Sequence, residues 1–98
     1  MDKDTVKAIL LPHATELKNS GIQSLSLFGS VARGDATGQS DIDLMSDFDR
    51  ARRLTLFDLA GLELRLAEIL QAPVDLCDRR MMKDEVRLQA EREAVIVF

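Results

Sequence analysis

Residues 27–44 read LFGSVARGDATGQSDIDL, and this stretch decides how the chain is organised. Just before and inside it, Leu25 and Leu27 alternate with Ser24 and Ser26, which predicts a strand over 22–28 with one buried face. Gly29-Ser30 then breaks the strand, and Asp35-Ala-Thr-Gly38 is turn chemistry. Alternation resumes over 41–48, with Ile42 and Leu44 on the core side and Asp41, Asp43 and Met45 facing the other way. Two aspartates inside one strand need a chemical reason, because the residue type is depleted there.

Working outward, residues 5–19 place Val6, Ile9, Leu10, Ala14 and Leu17 on one helical face, with Pro12 either delaying or kinking the helix and Gly21 ending it. Thr55-x-x-Asp58 is a capping box with Asp in place of the usual Glu, and it opens a helix whose apolar face runs through Leu56, Leu59, Leu62, Leu66, Ile69 and Leu70. Pro73 stops that helix, and 74–77 is a short strand with Val74 and Leu76 on one face, Asp75 and Cys77 on the other. Residues 82–93 read as a charged amphipathic helix with Met82, Val86 and Leu88 or Gln89 inward. Residues 94–98 form a β-branched run, an edge strand or a partner-binding tail. The order α-β-β-α-β-α-β predicts an α/β (α+β) fold, a small mixed sheet with helices packed against it, in a single domain spanning 1–98.

With 98 residues, 46 % hydrophobic and 31 % charged, the composition is that of a globular chain. The formal charge of -4 argues against direct binding to nucleic acid, whose partners carry basic stripes. No apolar run approaches the length of a membrane span and the N-terminus lacks a secretory pattern, so the expected compartment is the cytoplasm. The one cysteine, Cys77, has no base beside it and reads as a small buried residue, and His13 has no companion for a metal site.

Asp41 and Asp43 on one strand face lie about 6.6 Å apart along the backbone, close enough to disfavour each other's charge unless a cation intervenes. Carboxylates are the ligands expected for Mg²⁺, which completes its octahedron with water and substrate phosphate. The Gly29-Ser30 turn offers the complementary half: a glycine permits close backbone approach to a phosphate, and the serine adds a hydroxyl. A helical turn at Ser30-Val-Ala-Arg33 would aim free amides the same way.

Gly29-Ser30, ten intervening residues, Asp41-x-Asp43 and a later strand aspartate, Asp75, together resemble the nucleotidyltransferase superfamily that includes DNA polymerase beta. The fuller string, with LFDLAGLELRLAEIL and PVDLCD after it, is similar to the minimal nucleotidyltransferase (MNT) antitoxins over about 22–98. The resemblance implies the polymerase beta-like fold. It assigns Gly29 and Ser30 to the nucleotide phosphates, with Arg33 neutralising charge and Ser40 counted among the nucleotide-binding residues. Asp41, Asp43 and Asp75 become both the catalytic carboxylates and the ligands of two Mg²⁺ ions, and ATP the substrate. It further implies AMP transfer to a tyrosine hydroxyl of a HEPN-domain toxin partner. An antitoxin that works by binding alone, and nucleotidyl transfer to a small molecule, are the other classes; retention of all the motif residues favours the enzyme over binding alone, and the lack of room expected for a separate acceptor domain favours a protein acceptor over a small molecule.

Overall fold

The computed structural model describes all 98 residues, Met1–Phe98. Asp2 caps the first helix, α1 (Lys3–Leu10), by accepting the Thr5 N–H at 2.8 Å. Pro12 lies in a single 3-10 turn, Leu11–His13, so the helix resumes as α2 (Ala14–Asn19) with a kink rather than starting late. Gly21, at φ +111°, turns the chain into β1 (Ile22–Phe28). A one-turn helix, α3 (Gly29–Arg33), follows, and then β2 (Ile42–Phe48).

The capping box is present in full: the Thr55 hydroxyl accepts from the Asp58 N–H at 3.2 Å and the Asp58 carboxylate from the Thr55 N–H at 2.7 Å, opening α4 (Leu56–Leu70). β3 (Val74–Asp78), α5 (Asp84–Glu93) and β4 (Val95–Ile96) complete the chain. The sheet order is β3-β2-β1-β4, parallel between β2 and β3 and antiparallel elsewhere, which is the mixed sheet expected from the sequence.

One cluster of 14 buried residues joins α1, α2 and α4 to one sheet face, with Val6, Leu10, Leu17, Leu62, Leu66 and Leu70 packed against Leu25, Leu27, Ile42 and Leu44. Ile22 joins it although its spacing from Leu25 is odd, because the β1–β2 register slips between Ile22 and Ser24. On the opposite face α5 packs on β1 and α3, and Met45 and Ala90 are buried outside the main cluster.

Two expectations are corrected, and the two alternatives left for the C-terminal run are resolved in favour of the edge strand. Leu56 is 83 % exposed, since it occupies the first helical position, before α4 reaches the core. Val86 and Leu88 are about half exposed at 52 % and 48 %, and Gln89 is exposed; Ala90 is the residue that α5 buries. The reason is the surface beneath: Ser24, Ser26, Asp43 and Asp47 alternate with the core-facing residues of β1 and β2, so this face of the sheet gives a large apolar side chain little to pack on. The C-terminal run is an edge strand and not a free tail. Val97 is 3 % exposed within the core cluster, and the Leu25 N–H donates to the Phe98 carbonyl at 3.1 Å. Removing 95–98 therefore opens the core itself.

Ser46 is 1 % exposed on the core face and its hydroxyl has no hydrogen-bond partner. A buried hydroxyl without a partner costs about 1–3 kcal/mol. Ser46→Ala is expected to stabilise the chain by roughly 1 kcal/mol, read as a higher urea midpoint at unchanged m-value; a lower midpoint would mean that the hydroxyl is bonded in solution.

Candidate active site

The strand register assembles the site. Asp43 of β2 lies opposite Phe28 of β1 on one side and Asp75 of β3 on the other, so the Gly29 turn, Asp43 and Asp75 are brought side by side. Gly29 has φ +75°, and a Cβ built on it would stand 2.2 Å from Asp43 Oδ2. Any other residue type would have to displace the Asp43 carboxylate and hold a backbone conformation that L side chains rarely adopt.

Gly29, Ser30, Arg33 and Asp43 line one cleft of about 490 Å³ with Phe28, and α5 supplies the far wall through Glu85, Val86, Gln89, Ala90 and Glu93. Asp41 is exposed, ahead of β2. Asp75 is exposed beside Asp43 on the edge strand. The three carboxylates do not close into a ready-made metal cage. Ser40 lies outside the cleft walls: its hydroxyl accepts the Thr37 N–H at 3.0 Å and closes the turn before Asp41.

Burial, then the charges of Asp75 and Asp41, push the Asp43 carboxyl above the usual aspartate range, with Arg33 opposing and Glu93 adding to the effect. The folded chain thus holds on to the carboxyl proton more than a free aspartate would. A hard cation at Asp41, Asp43 and Asp75 would reverse that preference, and an all-oxygen donor set is the chemistry Mg²⁺ takes. Cys77, beside these acids, is pushed up to about 11 by burial first and then by Asp75, Asp43 and Glu63, which makes it a poor nucleophile.

Sequence reasoning missed Glu93. Its carboxylate accepts the Gly29 N–H at 3.3 Å and pairs with the Arg33 guanidinium at 3.0 and 3.2 Å, and its side chain is only 12 % exposed. No local pattern announces it; the only signal is the pairing of β4 with β1, which a two-residue strand conceals.

The chain matches the model of the nucleotidyltransferase domain family over residues 13–97. It is 33 % identical over 95 residues to the protein adenylyltransferase MntA of Thermococcus cleftensis, covering 96 % of this chain and 94 % of that one. A solved structure described as a minimal nucleotidyltransferase superposes with TM-score 0.81 at 36 % identity, over 97 % of this chain and 95 % of that one. A toxin-antitoxin structure solved with AMP-PNP superposes with TM-score 0.72 at 28 % identity, over 94 % of this chain and 70 % of that one.

Two substitutions test the geometry. A carboxyl whose folded pKa lies above its unfolded value costs native stability as pH rises through that pKa, so ionised Asp43 is a burden at pH 7 in the absence of divalent metal. Asp43→Asn is expected to raise the melting temperature at pH 7 in chelator, with the gain shrinking as the pH falls into the range where Asp43 takes up its proton. Gly29→Ala, by contrast, is expected to cost roughly 2 kcal/mol in denaturant unfolding, since it must strain the turn and expel the Asp43 carboxylate together.

Proposed function

This chain belongs to the nucleotidyltransferase domain family, in its minimal branch, and from that premise we propose that it transfers AMP from ATP to a tyrosine hydroxyl of a HEPN-domain toxin, which it thereby silences as an antitoxin. The observation that carries this reading is the shared cleft: a glycine turn that tolerates no Cβ, a serine, an arginine and a strand carboxylate open onto one space, with a second carboxylate next to the first.

In this reading the Gly29 N–H and the Ser30 hydroxyl meet the phosphates, and Arg33 offsets their charge. Asp41, Asp43 and Asp75 would hold Mg²⁺. When bound, the metal polarises the α-phosphate and draws charge from the departing pyrophosphate. The acceptor oxygen forms its bond to the α-phosphorus as the bond from that phosphorus to the bridging oxygen breaks, and pyrophosphate leaves with the electron pair. Asp75, exposed on the edge strand, is open to an incoming acceptor and takes the proton of its hydroxyl.

In this reading the acceptor is a protein that meets the site at the exposed edge strand carrying Asp75. The names borne by the relatives support the same choice, an adenylyltransferase of proteins in one case and a toxin-antitoxin pair holding an ATP analogue in the other. A cytoplasmic location follows from an ATP substrate and fits a chain with one cysteine.

The test is to recover the partner with the tagged chain and incubate the pair with ATP and Mg²⁺, reading intact masses of both. Whole adenylyl units are expected on the partner, lost with chelator and with the Asp41→Asn, Asp43→Asn variant. A tight complex whose masses never change, for wild type and variant alike, would replace the enzyme with an antitoxin acting by occlusion.

A further inference from the structure

We propose that Glu93 is an internal stand-in for a phosphate group: its carboxylate occupies the Gly29 amide and the Arg33 guanidinium that a triphosphate would take, so nucleotide enters the cleft by displacing it. This rests on the nucleotide reading of the cleft and adds to it a built-in competitor on the chain itself.

The placement of Glu93 is fixed by backbone pairing. β4 lies antiparallel to β1 with Leu27 opposite Val95 and Ser26 opposite Ile96. Continuing that register by two residues sets position 93 opposite position 29, where the hydrogen bond from the Gly29 N–H to Glu93 Oε1 is found at 3.3 Å. The side chain is held on its other oxygen by Arg33 at 3.0 Å, and it is 12 % exposed, so it is an ordered ligand of those two groups rather than a surface charge passing by. Arg33 is itself shared, donating to Asp35 at 3.1 Å through its other edge.

Both partners of Glu93 are donors suited to an anion: a backbone amide at the start of a turn, and a guanidinium. One N–H cannot serve two anions at once, and a triphosphate brought beside an ionised Glu93 in a cleft already holding Asp43 and Glu85 meets like charge. Binding therefore requires Glu93 to leave. It can do so locally, because α5 ends at Glu93 and Ala94 has already taken an extended backbone. The anchor of α5, Ala90, lies one turn earlier and stays in place.

The measurement is calorimetric titration of ATP, inorganic tripolyphosphate and adenosine into the wild-type chain and Glu93→Gln in Mg²⁺ buffer. Glu93→Gln keeps the shape and removes the charge, and it is expected to bind ATP and tripolyphosphate about tenfold more tightly while leaving adenosine unchanged. Glu93→Asp, whose carboxylate is one methylene too short to span to Gly29, is expected to shift affinity in the same direction and covers the case in which Glu93→Gln fails to fold. A wild type that binds ATP, with variants that fold and bind it equally or more weakly, overturns this inference alone. A wild type and variants that bind neither ATP nor tripolyphosphate overturn the nucleotide reading, and this inference falls with it.

Discussion

The contact on which the rest of the site depends is the one between the Gly29 backbone and the Asp43 carboxylate. A Cβ at residue 29 would push the Asp43 carboxylate out of place, and at φ +75° it would be strained even in open space. The glycine thus does two things: it reverses β1 into the short helix α3, and it lets a strand carboxylate rise beside the turn. Antiparallel pairing with Phe28 fixes how far along β2 that carboxylate sits, and parallel pairing with Asp75 brings the second acid alongside. A side chain on residue 29 would undo turn and carboxylate together.

That arrangement opposes stability. Asp43, Asp75 and Asp41 repel one another, and burial adds to the disfavour of the Asp43 charge, while Arg33 is the one cation in the cleft wall and is already engaged by Glu93 and Asp35. A sheet face kept for structure alone would be relieved by any neutral replacement at these positions. Divalent cations and phosphate, as in the proposed function, would supply the missing counter-charges, and the stability the site forgoes is offset on the other face, where the 14-residue core holds α1, α2 and α4 against the sheet.

The sequence made this half of the molecule legible and left the other half obscure for a physical reason. β1, β2 and α4 bury a regular face against a common core, so period and burial agree: Leu25 and Leu27, Ile42 and Leu44, and Leu62, Leu66 and Leu70 are where their spacing puts them. The Gly29-Ser30 turn and the Thr55 capping box are local, and local chemistry can be read locally. α5 obeys neither condition. It crosses the polar face of the sheet, where a small residue, Ala90, is the one that seats it and Val86 and Leu88 stay half exposed. Its other attachments are ionic and long-range, Arg79 bridging Asp47 to Glu91 in its last turn and Glu93 reaching Gly29 and Arg33 at its end. Hydrophobic period says nothing about such a helix, so the wall of the cleft and Glu93 with it went unread.

The same distinction explains how an edge strand can carry a site residue. β3 has no neighbour beyond it, and an edge strand that drifts would carry Asp75 away from Asp43. The parallel ladder with β2 holds it, and Glu63 adds a tie on the outer side by accepting the Leu76 N–H at 2.9 Å, one residue past Asp75. Glu63 can reach because α4 is anchored on both sides of it, by Leu62 and Leu66 in the core, and because the Thr55–Asp58 cap fixes where the helix begins. A capping residue twenty positions away in the chain thereby sets the position of a carboxylate in the cleft: cap to helix register, helix register to Glu63, Glu63 to β3, and β3 to Asp75. Each step is an ordinary packing or hydrogen-bond constraint, and it acts alongside the β2–β3 ladder, which sets Asp75 opposite Asp43 directly.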